Sequence, residues 1–244
     1  MNRVSEYKIL IGTHHKTGTV WLEHIFRAIG GRFRLRYVAS GHQSPKPVGH
    51  WDIFHNKHSQ FDLDALGDFR GLHMIRDPRD QIVSATHYHL KAKETWLHVP
   101  RPSFGGLSYQ QKINSLPTLE DQLLFEMSNA ASFDIGHMRA FDYSDPRFLT
   151  IKYEDYVTDY SLVRFEQAFR FLEFSETVIG WCLVLALRNS LFSGSIRTTG
   201  HIRSGKPKQW PAFFTPKLKA AFHERFGDIL TTLGYEEGDE WSAL

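Results

Sequence analysis

The segment Tyr7-Lys8-Ile9-Leu10-Ile11-Gly12 is a short apolar run that stops at glycine, and a polar loop, Thr13-His14-His15-Lys16-Thr17-Gly18, separates it from a helical pattern beginning at Thr19. A run without polar alternation is a strand buried on both faces, the kind found inside a parallel sheet. Val20, Trp21, Leu22, Ile25, Phe26 and Ile29 then recur at helical spacing, and Gly30-Gly31 predicts the stop. Strand, loop and helix in that order commit the chain to an α/β architecture.

The rest of the sequence repeats the alternation. Further strands are expected at 33–39, 51–55, 71–75 and 148–153, and helices at 80–90, 119–141, 160–173, 175–192 and 216–233. The fold expected is one α/β domain over 1–244, a three-layer sandwich with a central parallel sheet flanked by helices. Residues 91–117, with three prolines and two glycines, are too long for a plain connection and read as a lid or insertion. Ligands of such sheets sit beyond the carboxyl ends of the strands, where the loops after Gly12, His55 and Ile75 open.

Those loops carry the chemistry. At a helix N-terminus, successive backbone N–H groups face an anion, and Gly18, Lys16 and the hydroxyls of Thr17 and Thr19 add close approach, charge and donors. The triphosphatase pattern G-x-x-x-x-G-K-[ST] is not met, because Lys16 precedes Gly18. Nor does a later strand end in the Mg²⁺-holding Asp; the strand at 71–75 ends in Arg76. This counts against a small-molecule kinase of the P-loop class. In Arg76-Asp77-Pro78-Arg79-Asp80-Gln81-Ile82-Val83-Ser84, Arg76 is placed to hold a phosphate bidentately, Asp80 to cap the next helix, and Ser84 to join Arg76. A third basic loop runs from Ile202 to Trp210.

A net charge of +2 argues against a nucleic-acid binder, but it conceals blocks. Residues 1–51 hold eight Lys/Arg against two acids, and residues 177–223 hold seven against none. These stretches are candidates to converge on one anionic ligand. A single cysteine, Cys182, and no apolar run of membrane-spanning length lead to the expectation of a soluble, cytoplasmic protein.

Together the motifs resemble the sulfotransferases that use 3′-phosphoadenosine 5′-phosphosulfate (PAPS), a family with a P-loop nucleoside-triphosphate-hydrolase-like fold. The family's Pro-Lys-Ser-Gly-Thr-Thr-Trp looks like His15 to Trp21, and its Arg-(Asn/Asp)-Pro-(Arg/Lys)-Asp-x-x-Val-Ser is matched by Arg76 to Ser84. Arg203-Ser204-Gly205 with Trp210 and Phe214-Thr215 matches its C-terminal signature, and Tyr153-Glu154-Asp155 its Tyr-Glu-Asp. The resemblance implies that Lys16, Thr17, Gly18 and Thr19 bind the 5′-phosphosulfate, with the backbone of Val20 alongside. It also implies that Arg76, Ser84, Arg203 and Gly205 bind the 3′-phosphate, and that Trp21 and Tyr153 pack around adenine, with Ser190 and Leu191 as weaker candidates. Val20 and Ser204 depart from the family's Thr and Lys. Lys16 would stabilise the leaving bridge oxygen.

The family's base is a His at the end of the strand before the one that Arg76 closes; here His58 is preferred and His55 is the alternative. No metal is expected. The acceptor implied is a small molecule, lipid or carbohydrate, with Trp96, His98, Phe104 and Tyr109 as candidate lining. The family's Lys-x-x-x-Thr-Val-x-x-x-Glu dimer motif is absent, which leaves the oligomeric state open. A nucleotide-binding module that keeps the fold without turnover is the third reading.

Overall fold

Five short apolar segments become strands in a computed structural model that describes residues 4–41, 44–192 and 205–242. They are β1 (Lys8–Gly12), β2 (Tyr37–Ser40), β3 (Ile53–Asn56), β4 (Phe69–Ile75) and β5 (Phe148–Lys152). They hydrogen-bond in the order β2-β3-β1-β4-β5, and every pair is parallel. In register, Gly12 stands opposite Asn56 on one side and His73 on the other. Among the described residues the chain forms two compact units. The first runs to Arg76, resumes at Ala140 through the last strand and its helices, and includes Gly205–Pro207; the second holds Asp77–Arg139 and the chain from Lys208.

The first unit contains the whole sheet. Alternation along β1 sends Ile9 and Ile11 to one face and Leu10 to the other. The Ile9 face is covered by α1 (Thr19–Phe33), α6 (Tyr153–Val157), α7 (Val163–Phe171) and α8 (Glu176–Arg188). Leu10 packs with Trp51, Phe54, Leu66 and Phe69. Each fully buried Leu, Ile or Phe here contributes about 1.5–3 kcal/mol. Cys182 is buried in α8, and burial pushes its thiol up to about 12, which leaves it inert.

Several boundaries differ from the sequence expectation. Helix α1 passes through Gly30-Gly31 and ends only at Arg34, which takes the left-handed conformation. A side chain on Gly30 would stand 3.0 Å from the Leu35 carbonyl, so this glycine admits the returning chain instead of ending the helix. β2 therefore starts at Tyr37, not Phe33.

The second unit is helical: α2 (Pro78–His89), α3 (Tyr109–Asn114), α4 (Leu119–Ser128), α5 (Ala130–Ala140, whose last residue belongs to the first unit), α9 (Pro216–Phe226) and α10 (Ile229–Thr232). The expected helix 119–141 breaks at Asn129, and 216–233 breaks at Gly227, where φ is +52°. Residues 91–117 hold two single 3₁₀ turns and α3, which is closed by a Ser108–Gln111 capping box. Tyr109, Leu97 and Ile113 are buried there with Tyr88 and Ala92. Trp96 and Phe104 pack edge-on against Tyr109, so these aromatics serve the unit's own core, while His98 is exposed. Among the described residues no helix is long and apolar enough to cross a membrane.

Candidate active site

The loop between β1 and α1 is closed by its own side chains. Thr17 Oγ1 accepts from the His14 amide and donates to the His14 carbonyl, each at 2.9 Å. Thr19 Oγ1 donates to the same carbonyl at 2.8 Å. The two hydroxyls expected to meet an anion are thus engaged in shaping the loop. The amides of Thr19, Val20 and Trp21, which open α1, are the groups that helix geometry leaves without an intrahelical acceptor. Gly18 has φ +108°, and a Cβ there would lie 2.8 Å from Met74 Sδ, so only glycine fits. Lys16 is also left-handed, with φ +65°.

Arg76 ends this loop's isolation. Its Nη1 donates to the Lys16 carbonyl at 3.0 Å, and its guanidinium lies 4.6 Å from the Tyr153 ring centroid. Tyr153 packs edge-on with Trp21 and donates its hydroxyl to the Gly205 carbonyl at 2.9 Å. One continuous constellation therefore contains Lys16, Thr17, Gly18, Thr19, Trp21, Arg76, Tyr153 and Gly205. Ser84 lies half-buried on α2 in the second unit. Arg203 and Ser204 lie outside the described residues. Ser190 is buried, with its hydroxyl donating to the Leu187 carbonyl.

The two candidate bases separate cleanly. His55 is inside β3 with no exposed surface. Its Nε2 is 2.9 Å from Thr13 Oγ1 and its Nδ1 2.7 Å from Tyr37 Oη, so both ring nitrogens are engaged. Burial pushes it down to about 3. His58 lies half-buried in the loop that follows β3. That loop is tied to the β1 loop: Thr13 N donates to the Asn56 carbonyl (3.2 Å), and Ser59 Oγ donates to the Thr13 carbonyl (3.0 Å).

Beneath the loop, His14 and His73 meet Nε2 to Nε2 at 2.9 Å, both without exposed surface. His73 stacks on Phe141 at 3.6 Å, and burial pushes it down to about 3. Neutral imidazoles allow one of the pair to donate and the other to accept. The bracing residues Thr13, Tyr37, Asn56 and His73 were not singled out by sequence spacing: Thr13, Tyr37 and His73 meet partners far away in sequence, and no motif marks Asn56.

Part of the Arg76–Ser84 motif is structural. Asp77, not Asp80, caps α2, accepting from the Arg79 amide at 2.9 Å. Asp80 Oδ1 instead accepts the amides of Gln209 and Trp210 at 2.9 and 2.8 Å. Arg79, 2% exposed, pairs with Asp77 and Glu236 and lies against the rings of Trp210 and Trp241.

A family model described as the sulfotransferase domain matches residues 6–234. No curated protein matches by sequence. Among solved structures, the chain is similar to the mouse sulfotransferase SULT7A1 complexed with PAP, at 15% identity and a TM-score of 0.62, covering 98% of this chain and 88% of that one. It is also similar to retinol dehydratase in complex with androsterone and inactive cofactor PAP, at 16% identity and a TM-score of 0.56, covering 91% and 80%. The same enzyme with retinol and PAP gives 15% identity, a TM-score of 0.57 and coverage of 91% and 81%. These likenesses establish a shared P-loop-like α/β fold.

Proposed function

The chain belongs to the sulfotransferase domain family, and on that premise we propose that it transfers a sulfuryl group from PAPS to a hydroxyl or amine of a small-molecule, lipid or carbohydrate acceptor. The observation that carries this reading is the Arg76–Lys16 hydrogen bond with Arg76 against Tyr153, which joins the family's 5′ and 3′ binding motifs into one constellation. The PAP named for the structural neighbours is the adenosine bisphosphate that remains when PAPS gives up its sulfuryl group.

In this reading the amides at the start of α1 and the Lys16 ammonium receive the 5′-phosphosulfate. Arg76 and Gly205 hold the 3′-phosphate, the role that the family resemblance also gives Arg203 and Ser84, and Trp21 and Tyr153 flank the adenine. His58 takes the proton as the acceptor oxygen or nitrogen bonds to sulfur, and Lys16 meets the negative charge on the bridge oxygen as its bond to sulfur breaks. His55 is a brace for Thr13, because its buried, doubly engaged ring cannot reach an acceptor. Charge-assisted bonds of this kind carry about 1.5–3 kcal/mol, so Arg76→Ala should weaken PAP affinity by roughly 10- to 100-fold in calorimetry. Lys16→Ala and His58→Ala should abolish transfer while the fold persists. A mass-spectrometric screen of phenols, sterols, amines and oligosaccharides for a gain of SO₃ identifies the acceptor. Unchanged PAP affinity in Arg76→Ala would sink the proposal.

A further inference from the structure

We infer that Asn56 is a positioning residue that sets the loop carrying His58, an inference that rests on the reading of His58 as the base. Asn56 is the last residue of β3 and has no exposed surface. Its Oδ1 accepts two amides, from His58 at 3.0 Å and from Gln60 at 3.2 Å. Its Nδ2 donates to the Gln60 carbonyl at 2.6 Å and has Ser40 Oγ and the Ser44 carbonyl at 3.3 Å. The chain from Lys57 to Gln60 is therefore wrapped around one amide that uses both its acceptor and its donors.

Two further ties fix this turn in the sheet. The Asn56 carbonyl accepts Ser59 N as well as Thr13 N, and Ser59 takes φ +54° to close the turn. On the other flank Lys57 pairs with Glu23 of α1 at 2.8 Å, and Glu23 also holds Arg27. None of these bonds uses the His58 ring. The backbone on both sides of His58 is thus anchored through Asn56, Lys57 and Gln60, and what the amide restrains is the direction from which the ring leaves the chain. A base held in place before its partner arrives avoids the ordering cost that a mobile one incurs at each turnover.

The chemistry selects asparagine. Aspartate keeps the acceptor for the His58 and Gln60 amides, but it faces the Gln60 and Ser44 carbonyls with a carboxylate in place of N–H. Alanine keeps neither. Asn56→Ala and Asn56→Asp therefore separate the two halves of the role.

Amide exchange by NMR, PAP affinity by calorimetry and the rate of PAP release from PAPS, with water as acceptor, test this on the full chain. In Asn56→Ala, protection at the His58 and Gln60 amides should fall at least ~10-fold while Ile9 to Ile11 keep theirs. PAP affinity should stay within about twofold and PAP release should fall by roughly 10-fold or more. In Asn56→Asp the His58 and Gln60 amides should stay protected. PAP release should recover with them, to within about threefold of the unsubstituted protein; a residue with a purely structural part would show no such rescue. Unchanged protection in Asn56→Ala, or PAP release lost in Asn56→Asp although its amides stay protected, would overturn the inference. His58→Ala separates the two failures. Normal PAP release there removes the base itself, and the inference with it, whereas loss there beside normal release in Asn56→Ala overturns Asn56 alone.

Discussion

Acidification should destabilise this protein well above the range where carboxylates titrate. His55 and His73 have no exposed surface, and burial pushes both down to about 3 from a reference near 6.5. Below about pH 6.5 the unfolded chain takes up protons at these two positions that the folded chain refuses. The unfolded state then binds more protons, so stability falls as pH falls, by about 1.4 kcal/mol per pH unit for each histidine, until the folded value near 3 is reached. Above pH 6.5 the contribution is flat. From pH 7 to pH 5 the loss is about 2 kcal/mol for each, or about 4 kcal/mol for both, against a typical total of 5–15 kcal/mol. Urea unfolding followed by tryptophan fluorescence, in half-unit steps from pH 7.5 to 5, measures it. His73→Leu removes one titrating ring and should roughly halve the slope, whatever it does to the stability at pH 7.5. A stability that stays level down to pH 5, or an undiminished slope in His73→Leu, would refute the reasoning.

Two other substitutions probe the packing. Arg79→Lys should cost about 3 kcal/mol in denaturant unfolding, because a lysine cannot serve Asp77 bidentately and lie against Trp210 while its charge stays buried; a loss below about 1 kcal/mol would show that the ring contacts carry little. Gly71→Ala drives a Cβ into the Phe148 ring and should cost about 1–3 kcal/mol, with part regained when Phe148→Leu is added. Equal losses in the single and double variants would place the cost elsewhere.

What could be read from the sequence follows the range of the interaction. β1 and the opening of α1 were legible because apolar runs and helical spacing are local signals, and Gly18 was legible because a phosphate-type loop needs a glycine near its helix. The end of α1 was misread because Gly30 answers to the Leu35 carbonyl, a contact that a glycine pair in the sequence does not announce. The α2 cap was misassigned to Asp80: Asp77 and Asp80 both stand within a turn of the helix start, and only the distant amides of Gln209 and Trp210 decide between them. His58 was preferred to His55 in sequence only for its place beside Lys57 in the loop. The partners that distinguish them, Thr13 just past β1 and Tyr37 in β2, are distant in sequence.

The left-handed conformation of Lys16 has a consequence for how such a loop evolves. Glycine or asparagine would occupy φ +65° with less strain, by an amount on the order of 1 kcal/mol. A lineage selected only for a robust fold would drift toward one of them at this position. On the proposed reading, in which Lys16 meets the donor's negative charge, a lysine kept here despite that strain would be a readable trace of use, and position 16 is where the fold of a descendant without transfer would first be free to relax.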